Sequence, residues 1–131
     1  MTLDMYQEQI MDHYENPYHR GTLPVPTLEC HSHNPLCGDE VRVQVRVDDE
    51  GRVAEAYFEG EGCVISLAAA SMLMEVVEGK SLAEVKAMTR QDMLDLLGIR
   101  LTTMRVKCAM LPLRTLEKAI YLYEAREPCE S

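Results

Sequence analysis

A chain of 131 residues, 47% hydrophobic and 27% charged, is long enough to form one domain with a core of its own and has the balance of a soluble globular fold. Its net charge of −9 speaks against a nucleic-acid binder, which needs clustered Lys and Arg to neutralise phosphates. No apolar run reaches the length of a membrane span, and Met1-Thr2-Leu3-Asp4 shows no basic or apolar signal region, so a cytoplasmic protein without membrane contact is expected.

Five cysteines in such a chain do not read as a disulfide framework. The number is odd, no C-x-x-C pair occurs, and a reducing compartment favours thiols, metals or catalysis.

In chain order, Leu3, Tyr6, Ile10 and Tyr14 mark one face of a helix over residues 2–15, which Asn16-Pro17 stops. Residues 16–26, punctuated by Pro and Gly, read as a plain connecting loop. Thr27 to His33 is a candidate strand. Val41, Val43, Val45 and Val47 alternate with polar residues as in a half-buried strand. Asp48-Asp49-Glu50-Gly51 predicts a hairpin turn, and Val53 to Glu59 returns with Ala54, Ala56 and Phe58 on one face. The period then changes. Val64 to Glu78 predicts a helix with Gly79 just past its end, Ser81 to Glu84 is a capping box, and Thr89 to Asp92 a similar start to a helix closed by Gly98. A last helix is expected from near Cys108 to about Arg126, with Pro112 in its first turn and a frayed tail from Glu127 that includes Cys129. The expected fold is α+β: a small three-stranded antiparallel sheet with helices packed on one face, as a single domain over 1–131.

Three cysteines stand where regular structure starts. Cys37 lies in Asn34-Pro-Leu-Cys-Gly-Asp39, Cys63 in Gly60-Glu-Gly-Cys63, and Cys108 in Arg105-Val-Lys-Cys-Ala109. Thiolates are the metal ligands and sulfur nucleophiles, and a helix start favours the thiolate through its unpaired N–H groups and dipole. Gly38 lets backbone approach an ion and turns Asp39 toward the side of Cys37. Three sulfurs and one carboxylate can complete a tetrahedral zinc shell or hold iron beside sulfide. The competing reading is three buried structural cysteines, a common fate of free Cys. Long gaps between them leave both readings open.

The three motifs closely resemble those of the U-type iron–sulfur cluster assembly scaffolds: the housekeeping scaffold, the Gram-positive sulfur-mobilisation protein and the N-terminal domain of NifU. The resemblance runs from Tyr14-Glu-Asn-Pro17 to the last helix. It implies the α+β fold above and a site of Cys37, Asp39, Cys63 and Cys108 holding zinc or a nascent [2Fe–2S] cluster. It also implies sulfur received from a cysteine desulfurase, with Cys37 or Cys108 as persulfide acceptor, and delivery to recipient apo-proteins. The carboxylate of Asp39 is implied to keep the cluster labile, as a harder, weaker partner for iron–sulfur than a thiolate.

Three departures give the chain a mixed character. Lys107 precedes the third cysteine where housekeeping scaffolds have His; it cannot ligate while protonated, but it can support the Cys108 thiolate. The gap between second and third cysteines lacks the insertion of the sulfur-mobilisation branch. Leu101-Thr-Thr-Met-Arg105 stands where a Leu-Pro-Pro-Val-Lys chaperone segment is expected, which puts delivery through a specialised Hsp70 in doubt. The alternatives are a zinc-dependent sulfurtransferase that activates a desulfurase, and a structural zinc domain.

Cys30-His31-Ser32-His33 also has metal-binding residue types, but strand alternation sends Cys30 and Ser32 to one face and the histidines to the other, toward solvent. His13 and His19 read as surface residues. Glu75, Glu78 and Glu84 read as solvated helix residues, and Met72, Met74, Met88 and Met93 as core filling.

Overall fold

Alternating valines need a sheet face to bury against, and in a computed structural model describing residues 2–34 and 38–129 they have one. Strands β1 (Leu28–Asn34), β2 (Asp39–Val47) and β3 (Val53–Glu61) form an antiparallel sheet in that order. The register sets Cys30 opposite Val43, and Val43 opposite Phe58. These side chains, with Leu28, Val41, Val45 and Ala56, are buried under the helices. Each large apolar group so covered stabilises the fold by about 1.5–3 kcal/mol.

The hairpin turn forms where predicted. Asp48 Oδ1 accepts from the N–H groups of Glu50 (2.9 Å) and Arg52 (3.0 Å), and Gly51 takes φ 77°. The register shifts between Arg46 and Val47, which pair with Glu55 and Val53 and leave Ala54 as the extra residue of a bulge. Val53 therefore turns into the core, while the expected face member Ala54 is half-buried.

Helix α1 (Thr2–Glu15) packs on α2 (Val64–Val77), and α2 packs on β3 and on α5 (Thr103–Glu124). Of the predicted α1 face, Ile10 reaches the core and Tyr14 is exposed. Because α2 is covered by α1, the sheet and α5, it is buried from Ser66 through Met74. Short helices α3 (Leu82–Lys86) and α4 (Arg90–Leu97) begin with complete capping boxes, Ser81 with Glu84 and Thr89 with Asp92. Gly98 closes α4 at φ 70°. Met72, Met74 and Met93 fill the core, with Met88 packed against it. No helix among the described residues is long and apolar enough to cross a membrane.

Four expectations need correction. First, α5 starts at Thr103, capped by Thr102, so Cys108 sits in its second turn and Pro112 in its interior. Pro112 has no N–H to give the carbonyl four residues back, that of Cys108. Burial holds the helix together there: Cys108 through Leu113 are all buried.

Secondly, the loop after α1 is structural. Tyr18 donates its hydroxyl to Glu78 Oε1, whose other oxygen lies 2.9 Å from His19 Nδ1 and accepts from the Ala56 N–H at 3.0 Å. The His19 ring stacks between Tyr18 and Tyr57. The buried hydroxyl of Ser71 accepts from the Tyr18 N–H and pairs with His13 Nδ1, both at 2.7 Å. Thirdly, then, His13, His19 and Glu78 are tied into the fold, not left as plain surface groups. The loop goes on to cover the sheet's outer side, where buried Gln44 accepts from the Leu23 N–H at 2.9 Å.

Fourthly, Cys30 and Cys129 form a disulfide across 99 residues. The tail up to Cys129 is consequently pinned to β1, and among the described residues only Cys63 and Cys108 are cysteines outside a disulfide.

Candidate metal centre

The N-terminal end of α2 meets the start of β2 and the second turn of α5. Cys63 caps α2 with extended backbone, and its sulfur lies 3.5 Å from the Ser66 N–H it accepts from. No acidic side chain occupies the first turn, so Cys63 brings the thiol to the positive end of the helix. The Cys63 N–H donates to Asp39 Oδ1 at 2.9 Å, while Asp39 Oδ2 stands 3.5 Å from the Cys63 sulfur. Asp39 is buried, 1% exposed.

Glycine makes this approach possible. A Cβ on Gly62 would lie 2.7 Å from Asp39 Oδ1 and 2.6 Å from Ser66 Oγ. One on Gly60 would stand 2.2 Å from the Glu40 carbonyl across the sheet. Gly38, at φ 72°, starts the turn into Asp39 in a conformation that glycine adopts freely.

Cys108 completes the described group. One ligand atom each from Asp39, Cys63 and Cys108 lies within 4.8 Å of the others. Tetrahedral donors about 2.3 Å from a zinc ion stand roughly 3.8 Å apart, so a single cation fits among these three with small adjustments. Two thiols and a carboxylate suit zinc or iron–sulfur chemistry. Cys37, the fourth expected ligand, lies outside the described residues. The helix-start argument for a thiolate applies to Cys63 and not to Cys108, which sits beyond the first turn where the dipole acts.

Cys108 finds its cationic neighbour three residues back. The charge of Cys63 first, then a hydrogen bond to it, and then Cys108 raise the affinity of the Arg105 guanidinium for its proton. Arg105 was not singled out from the sequence. The signal was present: positions three apart share a helix face, while adjacent ones such as Lys107 and Cys108 do not. Lys107 is exposed and lines a neighbouring hollow. His31 opens onto a second hollow of about 670 Å³ with Glu40, Glu59 and Lys118, His33 borders both hollows, and neither histidine belongs to the metal-compatible group.

A three-stranded sheet and flanking helices that gather thiols and a carboxylate from distant segments define a thiolate metal-binding domain. The chain belongs to the NifU-like N terminal domain family, whose profile matches residues 5–130, as its three cysteine motifs implied. It is 35% identical to the zinc-dependent sulfurtransferase SufU of Bacillus subtilis over 88% of this chain and 89% of that protein. It is 33% identical to the iron–sulfur cluster assembly scaffold protein IscU of Escherichia coli K12 over 92% of this chain and 95% of that one. The NifU-like N-terminal structure from Brucella abortus superposes with a TM-score of 0.77 at 22% identity, covering 94% of this chain and 96% of that chain. That likeness carries the fold, with its antiparallel sheet and helices.

Proposed function

We propose that this protein is an iron–sulfur cluster assembly scaffold. Cys37, Asp39, Cys63 and Cys108 hold the metal, zinc at rest and a [2Fe–2S] unit as cargo. A cytoplasmic cysteine desulfurase supplies the sulfur and apo-proteins receive the product. The observation that carries the reading is the meeting of Asp39, Cys63 and Cys108 within one ion's reach, in a chain of this family.

In the sulfur step, an acceptor thiolate attacks the outer sulfur of the donor's persulfide. A new S–S bond forms on the acceptor, the donor's S–S bond breaks, and the donor leaves as a thiolate. Cys37 and Cys108 are the proposed acceptors, with Arg105 as the cation beside the thiols. Cys108 has no exposed surface, so it accepts sulfur only after a partner opens the rim.

The 35% identity to a zinc-dependent sulfurtransferase favours one second reading: bound zinc holds the thiolates and the protein speeds the desulfurase without assembling a cluster. Anaerobic addition of ferrous iron and sulfide separates the two. A scaffold develops visible absorption that Cys63→Ala abolishes. A colourless zinc protein that raises desulfurase turnover is the transferase. Absence of any added sulfur by mass spectrometry, after incubation with desulfurase and cysteine, would sink both and leave a structural zinc domain.

A further inference from the structure

Beside the thiols the charge of the molecule reverses. The whole chain carries 13 basic and 22 acidic residues, yet residues 90–118 hold six Lys and Arg against three Asp and Glu. Thr103, Val106, Lys107, Met110, Leu111 and Arg114 fall at steps of 3, 1, 3, 1 and 3 along α5, which puts them on one face. With His33 and Asn34 at the end of β1 and Arg90 at the start of α4, they line a hollow of about 470 Å³. Among the described residues no carboxylate contributes to that lining.

The cations there are not spent inside the fold. None of the ion pairs among the described residues engages Arg90, Lys107 or Arg114. Arg114 attracts the Glu117 carboxylate, three residues on. Buried Met110 and Leu111 give the hollow an apolar floor.

We propose that this groove docks an acidic segment of a partner protein, whose carboxylates pair with Arg90 and Arg114 while an apolar side chain rests on Met110 and Leu111. Two features favour a peptide over a free anion. Lys107 and Arg114 are two helical turns apart, roughly 10 Å, which one phosphate does not bridge. An apolar floor under a charged rim is the pattern of a protein contact, where the rim gives steering and the centre gives affinity. The groove spans about 16 Å of helix, enough for a stretch of roughly five extended residues. Asn34 at the rim of the groove pairs in register with Asp39, so a bound segment lies near the candidate metal centre. The use of the contact in sulfur or cluster exchange rests on the assembly reading above; the binding itself does not.

The test uses the full chain and a short fluorescein-labelled peptide in which glutamates flank leucines, followed by fluorescence anisotropy, with bound zinc measured on the same samples. Saturable binding is expected, weakened about tenfold by each of Arg90→Glu and Arg114→Glu. It should be unchanged in Arg46→Glu at the far end of β2 and lost when glutamines replace the peptide's glutamates. Equal affinity in the Arg90 and Arg114 variants overturns the proposal. So does displacement of the peptide by inorganic phosphate but not by chloride at matched ionic strength, which would mark a small-anion site. Self-association that Arg114→Glu abolishes would make a second copy of the chain the occupant and equally overturn it. Variants that keep wild-type zinc but lose the peptide support the groove. Peptide binding by a chain that takes up no metal also supports it, while the assembly reading fails.

Discussion

Helix α2 carries a polar cluster at each end, and the two are built on opposite principles. At its C-terminal end, the carboxylate of Glu78 is satisfied by the Tyr18 hydroxyl, the His19 ring and the Ala56 N–H. Donors and acceptors are matched, so this end closes. At its N-terminal end, Asp39, Cys63 and Cys108 gather groups that are negative when deprotonated, with Arg105 as a cationic neighbour at an exposed rim position. A matched network fixes a loop, whereas a convergence of anionic donors calls for a cation. The same helix thus has one end that holds the fold and one that gathers candidate metal ligands.

The largest expected effect is common to both ends. The Cys30–Cys129 bond closes a loop of 99 residues, and its loss in Cys129→Ser should cost about 4 kcal/mol in denaturant unfolding under oxidising conditions. Reductant should erase the difference. A loss of zinc in that variant would tie the staple to the metal end and blur the contrast.

Next comes Glu78→Ala, which strands the half-buried Tyr18 hydroxyl and His19 ring and the Ala56 N–H at the closed end. A loss of about 2–3 kcal/mol, near 10 °C in Tm, is expected with zinc stoichiometry intact. Cys63→Ala should do the reverse, abolishing stoichiometric zinc while the metal-free chain keeps its circular dichroism. If Glu78→Ala released the metal, the two ends would be one unit and the contrast would fail.

Gly62→Ala sharpens the contrast from the other side. Its methyl would meet the Asp39 carboxylate at 2.7 Å, so the cost should be about 1–2 kcal/mol in stability. A disproportionate drop in zinc affinity by competitive chelation should accompany it.

The smallest effect is one of pH. The hydrogen bond to Glu78, followed by burial and by the charge of Glu78, raises the Tyr18 phenol from 10.0 to about 12. A raised folded-state pKa contributes stability that is complete below 10.0 and is lost as pH climbs through about 12. Wild type should therefore fall off faster than Tyr18→Phe in that window, read by thermal unfolding alongside tyrosinate absorbance. Matching slopes would count against a closed network at this end.

Much of the architecture was legible because its signals are local. The valine alternation of β2, the turn at Asp48–Gly51, the capping residues Ser81 and Thr89 and the stop at Gly98 each act within a few residues, and all stand as read. The start of α5 was missed because Thr102 has Arg105 three residues on, in place of the Glu or Gln that marks a capping box, although its hydroxyl still accepts from the Arg105 N–H at 3.4 Å. Pro112 misled in the same direction, since an interior proline is costly unless packing offsets it.

The candidate ligands were named from three short motifs, but their meeting was not written in any of them. By itself the sequence determined the chemistry on offer: which thiols stand beside glycine, that Cys63 stands at a helix start, and the α+β order of elements. Only the tertiary structure decided that Asp39, Cys63 and Cys108 share one ion's reach, that Arg105 is the cation beside them, and that Cys30 finds Cys129. Periodicity and capping are set by neighbours along the chain, whereas contacts across 24, 45 or 99 residues depend on how whole elements pack, which no local pattern encodes.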